Sequence, residues 1–234
     1  MSSCSNKSPT QDGVSAEWNS MAGEWDDLAK GYRDSFEKIV YDNTNIFDLN
    51  KNATSDSPLI IVDFGCGTGL LTESLRRKLN NDTTKFVCLD AASEMIKVLQ
   101  DKIRAGEWNN VVAHTVALAS MNEKFEKTVL QPLYGTVDII VASSVLVFIP
   151  ENDIQKTMNV LGKLLKPNGK GLLVHSDWPK DNNLNQSNGF TEERAKLVHG
   201  YANLTTTTSK IVEIQMGPTS DNKGNIFLGI AQTK

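Results

Sequence analysis

Three glycines alternate at positions 65, 67 and 69, and an aspartate, Asp63, stands two residues before the first of them. Glycines let a ligand approach the backbone closely, and the free N–H groups at the start of a helix attract its polar atoms. The spacing Gly-x-Gly-x-Gly differs from the Gly-x-Gly-x-x-Gly that is typical of dinucleotide-binding loops. A carboxylate beside the loop repels a pyrophosphate and attracts an ammonium group. The residues therefore indicate a ligand with a cationic end.

A second acid, Asp90, closes the next apolar segment of the chain. An acid in this position typically forms hydrogen bonds with both hydroxyls of a ribose. The alternative is that Asp90 caps the following helix, but Ser93 is the better capping residue and leaves Asp90 free. Together the two acids predict a site for a ribose-containing ligand with a cationic, amino-acid-like end.

The elements that must position these acids alternate between strand and helix. Strands are predicted at 59–62, 85–89, 110–116, 136–143 and 171–175, and helices at 70–79, 93–105, 152–165 and 191–201. Continuous apolar strands separated by helices indicate a parallel sheet that is covered on both faces. The last two predicted strands, 205–216 and 225–232, are joined by a turn and must therefore pair antiparallel.

The N-terminal part of the chain has a different pattern. Residues 1–14 are rich in Ser, Asn and Gln and are predicted to be disordered. Within 15–57, apolar residues recur at steps of three or four, which predicts an amphipathic helical arm. Residues 58–234 then form the α/β domain.

Composition excludes several classes of protein. Lys and Arg number 24 against 28 Asp and Glu, giving a net charge of −4, so no basic surface for a nucleic acid is expected. The sequence has neither a run of apolar residues long enough for a membrane span nor an apolar signal segment. Its three cysteines lack close partners and its three histidines lack ligand spacing, so free thiols, a cytoplasmic location and no metal are predicted. The oligomeric state stays open between a monomer and a weak dimer.

Four segments, taken in order, resemble the motifs of the class I S-adenosylmethionine-dependent methyltransferases: 62–72, 89–96, 137–146 and 164–171. The resemblance implies an α/β fold, a Rossmann-like doubly wound sheet of seven strands, mostly parallel with one antiparallel strand near the C-terminus. It also implies that residues 58–234 are the methyltransferase domain. The expected reaction moves a methyl group from S-adenosyl-L-methionine to a small-molecule nucleophile (sulfur, nitrogen or oxygen) and yields S-adenosyl-L-homocysteine.

The resemblance assigns the glycine loop and the acid before it to the methionyl end of the cofactor, the second acid to the ribose, and nearby apolar residues to the adenine. The residues assigned to the cofactor in this way are Asp63, Gly65, Cys66, Gly67, Gly69, Asp90, Ala91, Met95, Leu118 and Ser143. The chain departs from many members of the family in one respect, because 115–120 lacks an acid near the adenine amino group.

Three segments supply candidates for the acceptor pocket. The arm carries aromatic residues that either form a lid or pack on the sheet, namely Trp18, Trp25 and Tyr32. The candidates after the fourth strand are Val147 and Phe148, and those after the fifth are Asp177 and Trp178. His175 is a candidate general base, since its ordinary pKa lies in the useful range. The other interpretation of His175 is a hydrogen-bonded histidine at a strand end.

Other functions stay open. A catalytically silent cofactor-binding subunit that activates a partner is one alternative, and methylation of a protein or RNA is another. A nicotinamide oxidoreductase is disfavoured by Asp63 and by the glycine spacing. The sequence contains no Asn-Pro-Pro-Tyr or Asp-Pro-Pro-Tyr motif after the fourth strand, which disfavours amino-group methylation of DNA bases or glutamine.

Overall fold

The computed structural model describes residues 10–180, 189–216 and 223–234. Within them seven strands form a single sheet in the order β3-β2-β1-β4-β5-β7-β6. The strands are β1 (Leu59–Phe64), β2 (Thr84–Asp90), β3 (Val111–Thr115), β4 (Ile139–Ser143), β5 (Leu172–Asp177), β6 (Leu204–Gln215) and β7 (Lys223–Thr233). Only β7 runs antiparallel to its neighbours, β5 and β6. The predicted mostly parallel, seven-stranded fold with one antiparallel strand is confirmed. The turn predicted between the last two strands lies outside the described residues.

Nine α-helices flank the described sheet or form the N-terminal arm. They are α1 (Gln11–Met21), α2 (Trp25–Leu28), α3 (Lys30–Asn43), α4 (Ile46–Asn52), α5 (Leu70–Lys78), α6 (Ser93–Ala105), α7 (Glu123–Phe125), α8 (Glu151–Leu164) and α9 (Glu192–Tyr201). None of the helices in the described part of the chain is long and apolar enough to cross a membrane.

The core lies on both faces of the sheet because side chains alternate along each strand. Val62 and Ile140 contribute to one apolar cluster, which includes Met158 of α8. Their neighbours Ile61 and Ile139 contribute to the cluster on the opposite face, which α3 and α5 complete. Burial on both faces explains why these strands are continuous apolar runs rather than alternating ones.

The arm differs in detail from the prediction. α1 begins at Gln11, inside the segment predicted to be disordered, and Thr10 caps it by accepting from Gly13 N at 3.3 Å. Residues 1–9 of that segment lie outside the described residues. The single apolar stripe of the arm is divided among four helices, of which α3 packs against α5 through the buried Phe36 and Val40.

The strand order places the functional residues at one edge of the sheet. The chain order reverses at β1, which lies between β2 and β4, and all three strands end at the same edge. In open α/β sheets a ligand-binding crevice forms at this switch point, beyond the carboxyl ends of the strands.

Candidate functional site

A cavity of about 300 Å³ lies at this crevice. Its walls come from the end of β1 and the glycine loop, the ends of β2 and β4, and the arm helices α1 to α3. Fourteen of the eighteen residues predicted for the site line it, namely Trp18, Trp25, Tyr32, Asp63, Gly65, Cys66, Gly67, Asp90, Ala91, Met95, Leu118, Ser143, Phe148 and Trp178. Gly69, Val147, His175 and Asp177 do not.

The glycine loop needs glycine for two physical reasons. Gly65, Gly67 and Gly69 all have positive φ angles, of 69°, 53° and 80°. In addition, a β-carbon at position 65 would lie 2.2 Å from Val145 Cγ2, and one at position 69 would lie 2.4 Å from Leu99 Cδ1. Gly69 therefore permits the close packing of the loop on α6, whereas Gly65 and Gly67 form the cavity wall.

Asp63 is a buried carboxylate with a side-chain exposure of 2%. Thr72 Oγ1 donates to Asp63 Oδ2 at 2.6 Å, and no ion pair in the described part of the chain involves Asp63. Burial raises the pKa of Asp63 to about 6, and the hydrogen bond from Thr72 partly opposes this rise. A buried anion without a cationic partner is costly, so an ammonium group on a ligand fits this position.

Asp90 connects three segments of the site. Its Oδ2 accepts from Gly67 N at 2.8 Å and its Oδ1 accepts from Ala92 N at 2.8 Å. Burial raises the pKa of Asp90, and these backbone donors partly offset the rise. The prediction that Ser93 caps α6 and leaves Asp90 free is wrong, because the helix begins at Ser93 with Ala92 as its N-cap and both oxygens of Asp90 accept backbone hydrogen bonds. Each carboxylate oxygen still has a lone pair for a ribose hydroxyl.

The apolar side of the cavity lies beyond Asp90. The predicted Ala91, Met95 and Leu118 line it, as do Val116 and Ala117, which the sequence did not identify. Val116 and Ala117 directly follow β3, and their apolar character could have predicted that they line the cavity. No acid of the 115–120 segment lines the cavity, in agreement with the sequence.

The arm lies against the glycine loop. A β-carbon at position 67 would lie 3.6 Å from Trp25 Nε1, and the Trp25 ring meets the Trp18 ring edge to face with centroids 5.0 Å apart. Asp26 fastens this contact, since its Oδ1 accepts from Thr68 Oγ1 at 2.5 Å and its Oδ2 lies 2.5 Å from Lys102 Nζ.

Tyr32 joins the arm to the ends of β4 and β5. Its hydroxyl accepts from Ser144 Oγ at 2.6 Å and lies 2.5 Å from Ser176 Oγ. Burial raises the pKa of Tyr32, and the serine hydroxyls partly offset the rise. Ser144 has a φ of 55°, which is unusual for a residue with a side chain and costs about 1 kcal/mol or more. Ser144 and Ser176 lie in the candidate segments that follow the fourth and fifth predicted strands, but their contacts with Tyr32 were not predicted.

His175 and Asp177 are fully buried and do not reach the cavity. His175 Nδ1 lies 2.7 Å from Asp177 Oδ2, and His175 Nε2 lies 2.9 Å from His199 Nε2. Burial lowers the pKa of His199 to about 3, so this imidazole is neutral. Both nitrogens of His175 are occupied, so the prediction of His175 as a general base is corrected to a structural, hydrogen-bonded histidine.

Val147 and Asp177 are also corrected from pocket residues to supports of the pocket. Val147 N donates to Asp177 Oδ1 at 2.9 Å, which anchors the short 3₁₀ helix Leu146–Phe148. Burial raises the pKa of Asp177, and the contact with His175 partly opposes the rise. Phe148, at the end of that helix, reaches the cavity, and its ring lies 5.3 Å from the Trp18 ring.

Residues that the sequence did not identify complete the lining of the cavity on the side of the arm. They come mainly from the inner faces of α1 and α3 and include Gln11, Val14, Ser15, Ala29, Arg33 and Phe36. Their helical spacing was present in the sequence, but spacing alone does not show what a helical face contacts.

Residues 62–170 match the protein family described as methyltransferase domain. An uncharacterized methyltransferase of Schizosaccharomyces pombe is 30% identical over 158 residues, which cover 67% of this chain and 50% of that protein. A malonyl-[acyl-carrier protein] O-methyltransferase of Halalkalibacterium halodurans is 29% identical over 145 residues, which cover 62% and 48%. The chain thus spans about half the length of these curated relatives.

Among solved structures, magnesium protoporphyrin IX methyltransferase from Synechocystis PCC 6803, with bound SAH, shares the fold. Its TM-score is 0.66 at 16% identity, and the match covers 96% of this chain and 99% of that one.

The fold and the site define a Rossmann-like protein that binds a ribose-containing ligand with a cationic end. The chain thus contains a methyltransferase domain, and its fold is shared with S-adenosylmethionine-dependent methyltransferases. Its cofactor is S-adenosylmethionine, and the unpaired, buried carboxylate of Asp63 fits the ammonium group of that molecule.

Proposed function

We propose that the protein transfers a methyl group from S-adenosylmethionine to a small-molecule nucleophile. The observation that carries the proposal is the continuity of the cavity. The same cavity is lined by Asp63, Gly67 and Asp90 and also by Trp178 and residues of the arm. In this proposal the cofactor and the acceptor share this one cavity.

When bound, the cofactor supplies a methyl group that its positively charged sulfur already activates. The chain has to bind, orient and exclude water, which is how proximity contributes to such a transfer. The carboxylate of Asp63 attracts the cofactor's ammonium group, and Asp90 accepts from the ribose hydroxyls. The Trp25 ring covers the glycine loop, and the apolar wall limits the access of water.

The arm favours a small acceptor. In this proposal residues 15–57 act as a lid on the methyltransferase domain formed by 58–234, and α1 to α3 lie over the acceptor end of the cavity. A macromolecular acceptor would have to displace these helices and break the contacts of Asp26 with Thr68 and Lys102 that hold them in place. The name of one relative specifies an acceptor linked to a protein, malonyl-[acyl-carrier protein], and the name of one solved structure specifies magnesium protoporphyrin IX, so the acceptor differs among proteins of similar sequence or fold.

Calorimetry and product detection test the proposal. The chain is expected to bind S-adenosylmethionine, and Asp63→Ala and Asp90→Ala are each expected to weaken binding at least about tenfold, a change of about 1.4 kcal/mol. Asp82→Ala, at an exposed position outside the cavity, is the matched control. A panel of thiols, thioethers, amines and carboxylates, assayed for S-adenosylhomocysteine, is expected to contain an acceptor. Cofactor binding without transfer to any acceptor would instead support the silent-subunit alternative.

A further inference from the structure

The charged residues of the cavity are distributed unequally. Among the described residues that line it, the charged side chains are Arg33, Asp63 and Asp90. Both acids lie on the cofactor side, at the ends of β1 and β2. Arg33 belongs to the arm and is the one cation among these described lining residues. Among the described lining residues, the arm thus contributes a positive charge and no carboxylate.

Arg33 lies on the apolar inner face of α3. Ala29, Tyr32, Arg33 and Phe36 follow the helical spacing of three and four residues, and all four line the cavity. The Arg33 side chain is only 13% exposed, whereas that of its ion-pair partner Asp34 is 55% exposed. Asp34 does not line the cavity, and its oxygen Oδ1 lies 2.8 Å from Arg33 Nε and 2.6 Å from Arg33 Nη2, so the other donors of the guanidinium are left to a further partner.

The position of Arg33 is not explained by the pair with Asp34. An ion pair with a largely exposed partner contributes little to stability, while burying a guanidinium is costly unless its donors are satisfied. A guanidinium has five N–H donors in a planar fork that matches a carboxylate. A ligand carboxylate in the cavity would satisfy donors that Asp34 Oδ1 does not.

Apart from the two acids, no described residue that lines the cavity is a base at neutral pH. Tyr32 and Cys66 line it, but burial raises the pKa of each, so both stay protonated at neutral pH. His175 is buried away from it, and the two acids serve the cofactor. A nucleophile that already carries a free electron pair at neutral pH therefore suits this site.

We propose that the methyl acceptor is a small carboxylate with an apolar body, that Arg33 binds its carboxylate group, and that the product is a methyl ester. This inference rests on the proposed methyl transfer. Trp18, Phe148 and Trp178 supply aromatic walls for the apolar body.

The reaction balances without a base. A carboxylate oxygen forms the new bond to the methyl carbon with an electron pair that it already holds, and the electron pair of the broken sulfur–methyl bond stays on sulfur. No proton moves. An anion and a sulfonium cation become a neutral ester and neutral S-adenosylhomocysteine, a loss of opposite charges that a water-poor cavity favours.

The test compares carboxylic acids with their amides. Phenylacetate, octanoate and glutarate are each paired with the corresponding amide, and simple thiols and amines are included. The expected result is S-adenosylhomocysteine formation with at least one acid and not with its amide. The product is expected to be a methyl ester, identified by its mass and by the release of methanol in alkali.

Variants of Arg33 test the binding role. Arg33→Gln is expected to raise the KM of the acid at least about tenfold and Arg33→Lys less, because a lysine offers a point charge without the planar fork. Arg104→Gln is the matched control, since Arg104 is 69% exposed, pairs with Asp101 and lies outside the cavity. Calorimetric titration of the same acid into the protein saturated with S-adenosylhomocysteine gives a readout that does not depend on turnover. Arg33→Gln is expected to weaken that binding, while its affinity for S-adenosylmethionine stays within about twofold.

The outcomes separate the inference from the proposed function. Methyl transfer to a thiol, an amine or an amide but to no acid would overturn the inference and leave the proposed function intact. Equal KM values for the acid in Arg33→Gln and Arg104→Gln would also overturn it. Cofactor binding without transfer to any acceptor would overturn the proposed function and the inference together.

Discussion

Replacing Asp63 with asparagine is expected to stabilise the cofactor-free protein while weakening its binding of S-adenosylmethionine. Asp63 is almost fully buried, and its pKa is about 6 compared with an ordinary value of 3.8. Asparagine has nearly the same shape, and its oxygen can still accept the hydrogen bond from Thr72. The substitution therefore removes the charge and leaves the packing intact.

The magnitude follows from the difference in pKa between the folded and unfolded states. A raised carboxyl pKa means that the folded state holds the proton more tightly. The stability that this proton contributes is fully present below the unfolded pKa and is lost as the pH rises through the folded pKa of about 6. A difference of about two units corresponds to a cost of about 3 kcal/mol above that range. Asp63→Asn is expected to recover a gain of this order at about pH 7.5 and roughly half of it at about pH 5.

Urea unfolding of the cofactor-free protein, followed by tryptophan fluorescence at both pH values, measures this gain. The exposed Asp82→Asn serves as the control and is expected to change little at either pH. Calorimetry with S-adenosylmethionine measures the loss of affinity, expected to be at least about tenfold. An unchanged or lower stability at about pH 7.5, or a gain that does not shrink at about pH 5, would refute the argument from burial. A stabilised variant with undiminished cofactor affinity would refute the assignment of Asp63 to the cofactor's ammonium group.

Three further substitutions test other parts of the structure. Gly65→Ala is expected to destabilise the protein more than Gly135→Ala, measured by urea unfolding, because both positions have φ near 70° but only a β-carbon at 65 meets a neighbour, at 2.2 Å; equal losses would contradict this packing. Tyr32→Phe is expected to lower the free energy of unfolding by about 1–3 kcal/mol, since it leaves two serine hydroxyls without their shared partner. His175→Gln is expected to lower the free energy of unfolding by a similar amount without changing the shape of the pH profile of kcat. The loss of an ionisation from that profile would restore His175 as a base.

The sequence was sufficient to place most of the glycine loop and the two acids at one cavity because the requirements there are local. Gly65 and Gly67 need backbone conformations that side chains disfavour, and Asp63 and Asp90 end strands whose apolar runs are easily recognised. In a parallel sheet, such strand ends meet at one edge whatever the details of packing. The seven-stranded fold followed from the order of strands and helices and from the family motifs.

The part of the cavity lined by the arm was harder to predict because it depends on which side of an element faces the cavity. Arg33 was overlooked, since a charged residue on a helical stripe is ordinarily a solvated one. The structure shows that α3 turns this residue toward the sheet, between Tyr32 and Phe36. The segmentation of the arm also depends on tertiary packing, because a continuous apolar stripe does not reveal where a helix bends over a curved surface.

The end of β5 shows most clearly what the sequence decides and what the tertiary structure decides. The sequence by itself determined that His175, Ser176, Asp177 and Trp178 lie at the carboxyl edge of the sheet, next to the cofactor loop. Successive residues of a strand point to opposite faces of the sheet, so His175 and Asp177 share one face and Ser176 lies on the other. Only one of these two faces can approach Tyr32. In a doubly wound sheet both faces are buried, and the sequence therefore has no hydrophobic alternation that distinguishes them. Only the tertiary structure decided that Ser176 reaches Tyr32, while His175 and Asp177 point away to His199 and the 3₁₀ helix.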